Sequence, residues 1–179
     1  KVTKSVDVEG RVSAQYKGFY GAAGGYSGKR ANDVQGALLP DGQGLHTASR
    51  LDGIVGYKNK LFNIGGEYFH AKNWNNVTTN ATAQAGGYSV FGNVNFYKTW
   101  SVFGRYDTVK PSKDLAPTVK DHYYNVGIQW EPVKIIDLAL TYKHDRAING
   151  AIGTPNGTIG APVLGGKYDE FGLFGQLRF

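Results

Sequence analysis

Apolar and polar residues alternate with a period of two along nearly the whole chain. That period puts one face of a strand in apolar surroundings and the other in water. It excludes a helical bundle, because no stretch holds a sustained helical period. Strands are predicted at about 4–16, 19–29, 47–57, 61–73, 86–96, 100–109, 121–130, 135–146 and 167–179. Their connections alternate in length. Lys17-Gly18, Asn59-Lys60, Tyr97-Lys98-Thr99 and the turn around Pro132-Val133-Lys134 are tight. Segments 30–46, 74–85, 110–120 and 147–166 are long and rich in Gly, Asn, Pro, Thr and Ala. The chain therefore reads as one all-β domain over 1–179, with short turns on one rim and long loops on the other.

That asymmetry is the anatomy of a transmembrane antiparallel β-barrel of the outer-membrane kind. A soluble sandwich would scatter its loop lengths between both ends. The hairpin registers agree. Centring a turn on Lys98 sets Phe96 opposite Trp100, Val94 opposite Val102 and Val90 opposite Tyr106. Centring one on Val133 sets Trp130 opposite Ile136, Ile128 opposite Leu138 and Tyr124 opposite Tyr142. With Asn59-Lys60 as a two-residue turn, Tyr57 faces Phe62 and Val55 faces Ile64. Apolar meets apolar on one face throughout, which fixes the register. The second strand, Phe19 to Lys29, is mostly small residues, and either phase fits it.

Two aromatic rows emerge on the apolar face. Near the short turns lie Tyr16, Tyr57, Phe62, Phe96, Trp100, Trp130 and Phe179; near the long loops lie Tyr68, Tyr88, Tyr106, Tyr124, Tyr142 and Phe171. The eight steps from Phe171 to Phe179 span roughly 27 Å along a strand. Tilting cuts that to roughly 20 Å of height, near the apolar band of an outer membrane. Between the rows, Val55, Ile64, Val94, Val102, Val126, Ile128, Leu138, Leu140, Leu173 and Leu177 are expected to face lipid.

Nine strands do not close an ordinary barrel. Bacterial single-chain barrels have an even number, and a free edge in hydrocarbon is very costly. Nine also places Lys1 and Phe179 on opposite membrane faces. Strands from upstream sequence or another chain are therefore expected between the first and last strands. A true count of eight or ten would instead let the chain close alone.

Composition narrows the function. There is no cysteine, hence no disulfide, thiolate nucleophile or zinc–thiolate cluster. No segment approaches eighteen consecutive apolar residues, so no transmembrane helix is predicted. The mean hydropathy of −0.36 is compatible with a barrel that alternates lipid-facing and water-facing residues. The charge of +6 raises nucleic acid as a partner, but the basic residues sit in turns and beside loops and form no stripe.

The runs YKNKLFNIGGEYFHAKNWNNVT, WSVFGRYDTVKPSKDL, YYNVGIQWEPVKIIDLALTYKHD and KYDEFGLFGQLRF resemble the C-terminal half of Gram-negative porins. They are most similar to the phosphate-selective porin O and P group. The aromatic end at Phe179 likewise resembles the terminal strand of outer-membrane barrels. The resemblance spans about 45–179 and implies a sixteen-stranded, usually trimeric, water-filled barrel in the outer membrane, among lipid and lipopolysaccharide. It does not carry phosphate selectivity, because no basic ladder is visible. The water-facing positions alternate in sign: Asp7, Glu9 and Arg11; Arg50 and Asp52; Glu67; Arg105 and Asp107; Asp137; Glu170 and Arg178.

The expected function is passive diffusion of small hydrophilic solutes or ions with weak charge selectivity, without cofactor or catalysis. The alternative is an adaptor barrel that sheathes or anchors a periplasmic partner. Lys72, Lys110, Lys113, Lys120, Lys143, Arg146 and Lys167 are expected to meet lipopolysaccharide phosphates.

Other motifs carry less. The register above sets His122 opposite His144, a spacing that suits Zn²⁺ or Cu²⁺, but a rim pair beside Tyr124 and Tyr142 is the plainer reading. Asp52 opposite Glu67 could pair as acid and base, yet Arg50 lies close and the lumen is wet. Asn76, Asn80 and Asn156 open glycosylation-like triplets. Gly24–Lys29 lacks phosphate-loop spacing, since position 23 is Ala. The run Gly21-Ala22-Ala23-Gly24-Gly25 marks either a flat strip or a kink.

Overall fold

A computed structural model describes residues 6–30, 46–74, 82–154 and 157–178. Nine strands form one antiparallel sheet. They are β1 (Val8–Tyr16), β2 (Phe19–Gly28), β3 (Ala48–Lys58), β4 (Phe62–Lys72), β5 (Gln84–Tyr97), β6 (Trp100–Lys110), β7 (Lys120–Val133), β8 (Ile136–Ile148) and β11 (Gly166–Leu177). Each matches a strand predicted by the alternation. The loop between β8 and β11 adds a small unpredicted hairpin, β9 (Ile152–Thr154) and β10 (Gly157–Ile159). Among the described residues the sheet is open. β1 pairs only with β2 and β11 only with β8, so the first and last strands do not meet. Lys1, Phe179 and the three glycosylation-like asparagines lie outside the described residues.

Local chemistry sets the turns. Lys17 and Gly18 both have positive φ, 47° and 89°, the conformation that a two-residue hairpin of the right twist needs. A Cβ on Gly18 would lie 2.7 Å from the Lys58 carbonyl oxygen. At the next hairpin the Asn59 side chain accepts hydrogen bonds from the amides of Leu61 and Phe62, both at 2.8 Å. The turn therefore runs from Asn59 to Phe62 and Lys58 pairs with Asn63.

That cap corrects the expected register by two residues. Tyr57 faces Ile64 and Val55 faces Gly66, instead of Phe62 and Ile64. The β7–β8 hairpin shifts equally. Trp130 faces Leu138, Ile128 faces Leu140 and Tyr124 faces His144. The cause lies at Pro132, which has no N–H to give to a ladder. The pairing breaks between Trp130 and Val133, and the turn moves on to Lys134-Ile135. The β5–β6 register holds at Val94–Val102, Gly92–Gly104, Val90–Tyr106 and Tyr88–Thr108. Only its last pair differs: a bulge lets Tyr97, not Phe96, face Trp100.

A shift of two residues leaves every side chain on its expected face. One hydrogen-bonded row can be followed across the sheet: Tyr16, Phe19, Tyr57, Ile64, Gly92, Gly104, Val126, Tyr142 and Phe171. No member carries a charge. The row starts beside a short turn at Tyr16 and ends at Phe171, six residues before the end of β11. The strands are thus progressively staggered, as in a sheet tilted around an axis. The row also settles the phase of β2, placing Phe19 on the apolar face. Pairing through Gly21–Gly25 is unbroken on both sides, so no bulge interrupts the strand there.

The described residues hold no core of a two-layer fold. Among the described residues the buried apolar side chains are Ala48, Ala71, Ala83, Ala147 and Ile159. The large ones stand in the open on one face: Val12 is 77 % exposed, Phe171 78 % and Leu173 77 %. A soluble sheet would bury such a face against another layer.

Candidate functional site

The charged face is built by the positions between those of the apolar row. Its centre is Arg105 on β6. Arg105 Nε donates to Asp107 Oδ1 at 2.8 Å, Nη2 donates to Ser89 Oγ at 2.7 Å, and Glu67 Oε2 lies 3.6 Å from Nη2. Ser89 also bonds Asp107. One guanidinium thus gathers groups from β4, β5 and β6. Its planar fork of donors suits it to bridging several oxygens.

The other predicted lining residues fall into pairs on the same face. Arg50 and Asp52 are 3.2 Å apart. Asp137 is 7 % exposed; it accepts from Gln129 Nε2 at 3.0 Å and pairs with Arg178. Glu170 accepts from Lys143 Nζ at 2.8 Å. Arg11 sits across from Gly24 in a cleft shared with Glu9, Asp52 and Arg50.

Three expectations are corrected. Asp52 faces Phe69, and Glu67 faces Ile54 and turns to Arg105, so the two carboxylates form no acid–base pair. His122 faces Arg146, and His144 faces Tyr124 and Asp169, so the two imidazoles are not opposite one another. Both follow from the two-residue register shifts. Lys143, expected at the lipopolysaccharide rim, lies on the charged face and pairs with Glu170, because its odd position alternates with Tyr142 and His144.

The sequence reading missed Asp121 and Asp145. They lie on the charged face of β7 and β8, diagonally across from each other. With Glu67, Arg105, Asp107 and Tyr123 they line a cleft of about 520 Å³, capped from the loop side by Ile152, Gly153 and Thr154 of β9. Their parity was the available signal: Asp121 is an odd position beside the even apolar-face run Tyr124, Val126 and Ile128 on β7, and Asp145 an odd position beside Leu138, Leu140 and Tyr142 on β8.

The aromatic rows exist as contacts between neighbouring strands. On the short-turn side Phe19, which the sequence reading left unassigned, meets Tyr57 at 4.8 Å between centroids, and Tyr57 meets Phe62 at 5.8 Å. Trp100 and Trp130 stack at 5.5 Å. On the loop side Tyr88 meets Tyr106, Tyr124 meets Tyr142, and Tyr142 meets Phe171 at 4.9 Å. Tyr68 and Tyr88 are register partners. The hydroxyls reach toward the loops. Tyr106 shares a 2.7 Å hydrogen bond with His122 Nδ1, and Tyr142 donates to Asp169 Oδ1 at 2.6 Å. Rings with one apolar body and one polar tip suit a boundary between hydrocarbon and water.

No protein-family model, curated protein or solved structure matches this chain.

Proposed function

We propose that this chain forms part of a Gram-negative outer-membrane porin through which small hydrophilic solutes or ions diffuse passively. The observation that carries the reading is the division between the two faces. Among the described residues one face is uncharged between its aromatic rows and has no layer covering it; the other carries the ion pairs around Arg105, Asp137 and Lys143. Lipid as the solvent of the first face accounts for large apolar side chains left in the open. Water in a lumen accounts for the second. The stagger of the strands supports curling into a barrel.

Among the described residues β1 and β11 each leave one edge unpaired, and in hydrocarbon such edges require further strands. Nine antiparallel strands leave β1 and β11 running in the same direction, so an odd number must be added for alternation to close. Seven would give the sixteen expected from the porin resemblance, and a homotrimer would follow the same resemblance. The part of the lumen wall that these strands would supply is acidic. With Asp121 and Asp145 included, carboxylates outnumber cations among the described residues of the charged face, although the whole chain is basic. Such a wall favours cations over anions. Single-channel recording of the full-length protein in planar bilayers tests the reading. Stepwise ohmic currents with a cation-selective reversal potential are expected. A folded, inserted protein that passes no current would sink it and favour the adaptor alternative.

A further inference from the structure

We propose that the short-turn half of the charged face is a floor that binds neutral oligosaccharide. The rings of Tyr20, Phe91 and Phe103 would take the apolar faces of the sugar rings, and the amides of Asn63, Asn93 and Asn125 their hydroxyls. The proposal rests on the reading of that face as a lumen wall. The wall of a water-filled barrel is expected to be polar, yet aromatic rings interrupt this one. One register row runs Tyr20, Gly56, Gly65, Phe91, Arg105 and Asn125 across adjacent strands. The Tyr20 ring fills the space where a Cβ at Gly56 would stand, and the Phe91 ring lies 2.7 Å from the place of a Cβ at Gly65. Phe103 covers Gly127, its register partner, in the same way. Each ring thus rests on bare backbone and is half-buried, with its outer side left to the lumen. Glycine within a strand marks the close approach of another group. From β3 to β7 the paved strip is roughly 19 Å wide, which is several sugar rings long.

The neighbours of the rings select the ligand. Between that row and the short turns, as far as Asn95 and Gln129, this face carries no charge on β4 to β7. The ion pairs of Arg105 with Glu67 and Asp107 lie on the loop side, so an organic cation would gather there and not on the floor. Hydrogen-bonding capacity is left open among the described residues. Asn63 accepts from the Tyr20 hydroxyl at 3.0 Å through Oδ1 and keeps its amide hydrogens. Asn125 donates from Nδ2 to the Tyr123 hydroxyl at 2.9 Å and keeps Oδ1. The Asn93 side chain makes no hydrogen bond. Free donors and free acceptors together suit hydroxyls, which need both. A pyranose has an apolar C–H face for the negative face of an aromatic ring and hydroxyls around its edge.

The test is an NMR saturation-transfer titration of the full-length protein in detergent micelles. The probes are cellohexaose, sorbitol (a polyol without a ring) and tetraethylammonium. Cellohexaose should bind, and neither of the others should displace it at equal concentration. Phe91→Leu with Phe103→Leu keeps apolar bulk, removes the ring faces and should weaken binding by about tenfold or more. Asn93→Ala, which removes no bond of the protein, should also weaken binding and guards against loss through misfolding. Phe171→Leu makes the same change on the apolar face and should change nothing. Unchanged affinity in the Phe91/Phe103 variant overturns the proposal; rings that serve only to shield the glycine backbone would lower thermal stability and leave affinity intact. Equal loss in Phe171→Leu also overturns it, as does displacement by tetraethylammonium or sorbitol. Conductance is recorded on the same preparation. A protein that conducts but binds no sugar sinks this site alone, and one that binds sugar but does not conduct sinks the channel alone.

Discussion

Trp100 stacks on Trp130 with ring planes 14° apart and centroids 5.5 Å apart. The two are register partners on β6 and β7, beside the short turns. Stacked pairs of this kind contribute about 0.5–1.5 kcal/mol beyond the area they bury. A double-mutant cycle of Trp100→Leu and Trp130→Leu, read by urea unfolding in lipid vesicles, should return a coupling energy in that range. A coupling near zero would mean that each ring is anchored by lipid alone.

Charge should be tolerated on one face only. Val126→Arg places a cation in the uncharged band and should cost roughly 2–4 kcal/mol of folding free energy in bilayers. Gln176→Arg, exposed on the charged face opposite Asp137, should cost far less. Gly127 and Thr141, which lie on the same charged face, are poor controls. A Cβ at Gly127 would meet the Phe103 ring at 2.4 Å, and Thr141 is only 6 % exposed. Equal losses for Val126→Arg and Gln176→Arg would contradict the assignment of faces.

Removing the Arg105 guanidinium leaves Asp107 and Glu67 without their shared cation. In the proposed channel Arg105→Gln should therefore raise cation preference, read as a larger reversal potential across a salt gradient. An unchanged potential would show that permeating ions do not sample this part of the wall.

The cap at Asn59 should be separable from the sheet that it serves. Asn59→Ala removes two side-chain hydrogen bonds and should cost about 1–2 kcal/mol. Asn59→Asp keeps the acceptor and should cost less. Comparable losses in the two variants would assign the effect to the backbone of the turn.

The alternation of apolar and polar residues was enough to predict the nine long strands and the faces of all of them but β2, because parity survives any shift of two. Pairing partners were less legible. The Asn59 side chain lengthened one turn, and the missing N–H of Pro132 displaced another. Neither effect shows in an apolar pattern. Lys143 was misread because height along a strand was weighed without parity, and parity alone separates it from Arg146 on the same strand. Asp121 and Asp145 escaped notice for the same reason. The hairpin of β9 and β10 is three residues per strand, too short to establish a period.

Every strand of the large sheet lies beside its predecessor in the chain, save that β11 reaches β8 past one small hairpin. Four of the eight joints are hairpins with tight turns, β1–β2, β3–β4, β5–β6 and β7–β8. These close the shortest loops and so lose the least chain entropy. The remaining four must each draw together the ends of a longer segment. Assembly by pairs, then by docking of pairs, is the order of events that this arrangement favours. In refolding measurements the tight hairpins should gain amide protection before the joints between them.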